Sequence, residues 1–177
     1  RKLASRYTAF LLHAFNSGNG RFRNFMSYER KWLDEGGTDD SNGRALWALG
    51  AVAGRSRRSE LCGVASTLYE SALVGAQACR SPRACAFILK GIHEYLRRFD
   101  GHPLSQKAGV ELAEFLLTCY RKNRTDNWRW FEDRLTYANA KLPHALLLSG
   151  RWMGRKDLID AALESLDWLS KIQRPEG

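Results

Sequence analysis

Thr38-Asp39-Asp40-Ser41-Asn42-Gly43-Arg44-Ala45-Leu46-Trp47-Ala48-Leu49-Gly50 and Trp128-Arg129-Trp130-Phe131-Glu132-Asp133-Arg134-Leu135-Thr136-Tyr137-Ala138-Asn139-Ala140-Lys141-Leu142-Pro143-His144-Ala145-Leu146-Leu147-Leu148-Ser149-Gly150 share one plan. Each sets carboxylates, aromatic rings and amides directly ahead of a short helix that is apolar on every side. Such a helix must be buried on every side. The polar cluster at its N-terminal mouth therefore opens onto something enclosed, a cleft or the centre of a toroid. Acids, indoles and amides together suit a sugar.

Outward from these blocks the periodicity stays helical. Residues 1 to 16 predict a first helix with Leu3, Tyr7, Phe10, Leu11 and Ala14 on one face, closed by Ser17-Gly18-Asn19-Gly20. Arg21 to Trp32 reads as an ordered loop or short strand, and the apolar helix Arg44 to Ala53 follows. Ser59 caps a helix to about Cys79, and Ser81-Pro82 supplies an N-cap and first-turn proline for a helix to Phe99. After the turn Gly101-His102-Pro103, Leu104 to Lys122 carries a one-sided stripe of Ala108, Leu112, Phe115, Leu116 and Cys119. A buried helix from about Tyr137 to Ser149 precedes a one-sided helix from Arg155 to Ile172, with Leu158, Ala162, Leu166 and Leu169 as its stripe.

One-sided helices thus alternate with helices apolar all round or broadly so, the latter centred near Trp47, Gly91 and Leu146. A recurrence of roughly fifty residues suits stacked helical hairpins, inner helices alternating with outer ones. The fold class expected is all-α, with about seven helices forming a section of an (α/α)6 toroid. Residues 43 to 53 and 139 to 149 are expected to be inner, and 60 to 78, 105 to 122 and 155 to 172 outer.

A chain of 177 residues, 44% hydrophobic and 11% aromatic, has the apolar mass for one globular domain with a real core. Its first residues enter a helix at once and its last stop just past one, so residues 1–177 read as a single helical domain, a fragment of a longer barrel. Lys and Arg number 28 against 19 Asp and Glu, a formal net charge of +9, but the arginines gather at helix ends, where they satisfy terminal carbonyls. That distribution makes nucleic acid an unfavoured partner. Cys62, Cys79, Cys85 and Cys119 form no C-x-x-C pair and have no histidine at zinc spacing. Buried free thiols and a cytoplasmic location are the expectation, with no metal, no cofactor and no membrane span.

Asp40-Ser41-x-Gly43-Arg44-Ala45-Leu46-Trp47 and Trp130-Phe131-Glu132-Asp133-x-Leu135-Thr136-Tyr137-x-Asn139-Ala140-x-Leu142-Pro143 resemble the signature blocks of bacterial helical domains found with, or fused to, glycosyltransferases. Those domains belong to the six-hairpin glycosidase superfamily. The resemblance implies an (α/α)6 barrel with a sugar cleft where the inner helices begin, an oligosaccharide or sugar-containing substrate, and a glycosyltransferase domain in the same or a neighbouring chain. The pattern would have His where Asn42 stands, and an acidic or polar residue in place of Ala138.

Inverting hydrolysis of a glycosidic bond needs a protonated carboxyl for the leaving oxygen and an ionised one to activate water. Asp39 or, in preference, Asp40 from the first mouth and Glu132 or Asp133 from the second are the catalytic candidates. Asp39, Asn42, Arg44 and Asn139 are the polar candidates for substrate binding, with Trp128, Trp130 and Tyr137 as stacking rings, while Trp47 reads as core. On this reading Trp130→Ala weakens oligosaccharide binding. The leading expectation is a carbohydrate-active domain in sugar transfer or glycan processing. The alternatives are a glycoside hydrolase or sugar epimerase of the same superfamily, and a non-catalytic repeat scaffold that binds a protein or polyanion. An arc of hairpins with two uncovered ends is also expected to self-associate.

Overall fold

Side-chain caps start three of the helices in the computed structural model, which describes residues 2–174. The Thr38 hydroxyl accepts a hydrogen bond from the Ser41 amide while the Ser41 hydroxyl accepts one from the Thr38 amide, a capping box that starts α2 (Asp39–Arg55). Asp39, Asp40 and Ser41, equally plausible caps by residue type, lie inside the first turn. Ser81 caps α4 (Pro82–Leu96), with its proline in the first turn as expected. His102 does the same for α5 (Pro103–Asn123), its ring nitrogen accepting from the Ser105 amide. Before these come α1 (Lys2–Ala14) and a two-stranded hairpin, β1 (Phe15–Asn16) antiparallel to β2 (Arg21–Phe22). The remaining helices are α3 (Ser59–Ala76), α6 (Lys141–Met153) and α7 (Lys156–Ile172).

The fold is all-α, with seven helices among the described residues. Several boundaries differ from expectation: α1 ends at Ala14 rather than residue 16, α2 starts at Asp39 rather than Arg44, and α6 runs on to Met153 rather than Ser149. Helices α3 and α4 stop about one turn short of Cys79 and Phe99. The helix expected from Tyr137 starts only at Lys141, because Ala138 takes a left-handed conformation (φ 51°) that no right-handed helix accommodates. The starting Arg1 and the closing residues 175 to 177, which the fragment reading used, lie outside the described residues.

The helices pack as hairpins α2–α3, α4–α5 and α6–α7, with α2, α4 and α6 side by side in one layer and α3, α5 and α7 backing them. Gly43 lies against Ala84, Gly50 against Gly91, and Gly54 against Glu94, so the two helices advance together and α2 runs parallel to α4. A side chain at this seam has no room: a Cβ on Gly43 would stand 2.8 Å from the Ala84 carbonyl, and one on Gly91 would stand 2.6 Å from that of Leu46. Arg83 meets Asn139 and Lys90 meets His144, so α6 is parallel to α4 as well. All three N-termini therefore point the same way.

The expected ranking of burial is corrected. Every residue of α4 from Arg83 to Ile92 is buried, whereas α2 leaves Arg44 and Ala48 exposed and α6 exposes His144. The reason is position, since α4 has a neighbour on each side and the other two have one. The core joins Leu46 and Leu49 of α2 to Tyr69, Ile88, Ile92, Leu112, Leu116, Leu146 and Leu158. Leu3, Tyr7 and Phe10, expected to pack, are 60%, 64% and 51% exposed, and α1 instead buries Thr8 and Ala14 against the hairpin stack. All four cysteines are free thiols, three of them buried.

A polar network where the three parallel helices begin

Arg83 organises the mouth of the layer. It sits in the first turn of α4, 5% exposed, and its guanidinium spreads over three acceptors: the Glu132 carboxylate, the Asn139 side-chain oxygen at 3.0 Å and the Tyr137 carbonyl at 2.7 Å. A buried arginine requires that kind of saturation. The left-handed Ala138 turns the chain so that Tyr137 and Asn139 both reach it. The Arg83 guanidinium also lies 5.1 Å from the centre of the Tyr137 ring.

Asp40 enters the same network from α2. It accepts from the Tyr137 hydroxyl at 2.7 Å and from Arg44 at 2.8 Å. Partial burial works to raise the Asp40 carboxyl, but the Tyr137 hydrogen bond and the nearby Arg44 and Arg83 charges outweigh it and hold the group below its ordinary value. The Arg44 guanidinium in turn covers the Phe87 ring at 4.3 Å. Asp40, Arg44, Glu132, Tyr137 and Asn139 are thus brought together, although the chain separates them widely. Tyr137 keeps 49% of its surface open, so its ring is the accessible apolar plate of the mouth.

Other expected site residues lie elsewhere or are otherwise engaged. Asn42 donates to the Gly36 and Thr38 carbonyls and accepts from the Phe22 amide, so all its polar atoms tie β2 to the loop before α2. Asp39 pairs with Arg21 at 3.0 Å on the flank. Asp133 is exposed and held by its neighbour Arg134, whose hydrogen bond and charge lower its carboxyl, so the structure leaves it out of the network. Trp130 is corrected to a core residue: it is 0% exposed, wedged against Phe131 and Trp168 with its indole N–H unpaired. Trp128 is half-buried, edge-on to Trp168, and donates to the Glu132 carbonyl at 2.6 Å. Both indoles shape the loop that presents Glu132. Trp47, expected in the core, is half-buried on the open side of α2, stacked with Phe87.

Arg83 and Lys90 are the residues that the sequence reading missed. They are the two cations in the otherwise apolar run Pro82-Arg83-Ala84-Cys85-Ala86-Phe87-Ile88-Leu89-Lys90-Gly91-Ile92, two helical turns apart and hence on one side of α4. A charge inside a buried helix was the available signal.

This arrangement suits hydrogen bonding better than proton transfer. A general acid needs a carboxyl with a raised pKa. Asp40 shifts the opposite way, and Glu132 is bound by a buried guanidinium. Among the described residues no three His, Cys, Asp or Glu side chains gather in a group that could hold a metal ion, and no helix is long and apolar enough to cross a membrane. Comparisons with protein-family models, with characterised protein sequences and with solved structures return no match.

Proposed function

We propose that the chain is a carbohydrate-binding section of an (α/α)6 toroid, working in sugar transfer or glycan processing in or beside a glycosyltransferase. One observation carries this reading: the two motif blocks meet, through Asp40 and Tyr137, at the mouth where three parallel helices begin. A pyranose has an apolar face for the Tyr137 ring and hydroxyls for Asp40, Arg44 and Asn139. Parallel inner helices backed by a second layer are the packing that repeated hairpins produce, and a toroid is one way to continue it. The resemblance of the blocks to glycosyltransferase-associated helical domains supports the same assignment.

Binding takes precedence over hydrolysis or epimerisation in this reading because Asp40 is held ionised between Tyr137 and Arg44. The test is calorimetry of the chain against a panel of neutral oligosaccharides, with Tyr137→Ala and Asp40→Asn as variants. At least one sugar should bind, and each substitution should weaken it by about 1 to 3 kcal/mol, the scale of losing an anchor residue. Absence of binding across the panel, or binding indifferent to both changes, would refute the proposal.

A further inference from the structure

Lys90 is a buried cation without a matching anion. It lies about 10 Å below Arg83 along α4 and is 6% exposed. Its ammonium donates to Nδ1 of His144 at 3.0 Å and stands 4.7 Å from the centre of the Trp47 ring. The Lys141 ammonium stands 5.0 Å from that same centre. A buried ammonium costs several kcal/mol unless it is paired, and a neutral imidazole supplies no charge. The carboxylate that acts on Lys90, Glu94, is already gripped by both prongs of Arg55 and faces Arg97 as well.

The charged groups around Lys90 are two cations against one anion, with two imidazoles beside them. Arg55 comes from α2, His93 and Glu94 from α4, and Lys141 and His144 from α6. Burial and the Lys141 charge push Lys90 down to about 8. Burial, then Lys90 and Lys141, push His144 down as well. The place is not sealed: a hollow lined by Arg44, Trp47, Arg55 and Glu94 opens beside it.

We propose that this inner face binds a compact anion, a phosphate or carboxylate group, between Lys90, Lys141 and His144, with the Trp47 indole as the wall. An anion there supplies the missing counter-charge, and His144 then protonates and becomes a third donor. Two lysines suit this ligand because they act as point charges with freely turning donors. The site is separate from the Asp40 mouth, and it stands whether or not neutral sugars bind there.

Pyrophosphate, inorganic phosphate, glucuronate and glucose would each be titrated into the 177-residue chain, followed by calorimetry and by the NMR titration of His144. At least one anion should bind and raise the His144 midpoint. Lys90→Met and Lys141→Met should each weaken it by about tenfold or more, roughly 1.4 kcal/mol, while the exposed Lys122→Met on α5 leaves it unchanged. Phosphate compared with glucuronate identifies the phosphoryl or carboxylate class. The His144 reading is taken on the unsubstituted chain, so the test does not depend on a variant folding. No anion binding, an unmoved His144, or equal losses in Lys122→Met and Lys90→Met would overturn the site. Glucose binding without anion binding would do so too while leaving the sugar proposal standing.

Discussion

Tyr137 donates its phenolic hydrogen to Asp40 at 2.7 Å, joining residues 97 positions apart. The bond ties the loop before α6 to α2, as Arg83 ties it to α4. It fixes the hydroxyl end of a side chain whose ring lies near the Arg83 and Arg44 guanidinium groups and which keeps 49% of its surface open. Tyr137→Phe keeps the ring and deletes the bond, so the Asp40 carboxyl should rise toward its ordinary value and the fold should lose about 1 kcal/mol. Carboxyl NMR and chemical denaturation measure the two effects. An Asp40 midpoint unmoved by the substitution would show that the bond does not set its charge.

The glycine seam makes an opposite-sign pair of predictions. Gly50→Ala gains helix propensity but drives a methyl group into the Gly91 backbone, and should destabilise the fold by about 1 to 3 kcal/mol. Gly63→Ala on α3 meets nothing within 4 Å and should stabilise it by up to about 1 kcal/mol. Denaturation midpoints of the two variants decide, and shifts of the same sign would contradict the seam.

Lys90 makes stability depend on alkaline pH. Its folded value, about 8, lies below its ordinary 10.5, so between these the unfolded chain binds more protons and stability rises with pH. Relative to Lys90→Met, the unsubstituted chain should gain on the order of 2 kcal/mol from pH 8 to pH 10.5. Reading the difference cancels the cysteines and tyrosines that titrate in the same window. Parallel stability curves for the two proteins would refute the shift.

The outward face of α1, with Leu3, Tyr7 and Phe10 more than half exposed, should make the chain self-associate. Sedimentation velocity is expected to show concentration-dependent oligomers, and Leu3→Ser with Tyr7→Ser and Phe10→Ser should return a monomer. A monodisperse, cooperatively melting unsubstituted chain would mean that this face needs no cover.

The sequence by itself determined the all-α class, the order of the helices and several of their ends. Ser81-Pro82 and Gly101-His102-Pro103 act within one turn, and one-sided stripes such as Leu112 with Leu116 declare a buried side without reference to a partner. It also picked out Asp40, Arg44, Glu132, Tyr137 and Asn139, because polar groups ahead of apolar helices are conspicuous in any order of packing. Only the tertiary structure decided which indole faces outward, placing Trp130 inside despite its neighbours Arg129 and Glu132, and Trp47 at the open side despite its apolar neighbours Leu46 and Ala48. It alone turned the α1 stripe outward and enclosed α4 rather than α2. It alone joined Arg83 to Glu132 and left Lys90 beside His144 and Lys141. Burial and charge balance are sums over neighbours that arrive from distant parts of the chain, whereas caps and periodicity are complete within a few residues.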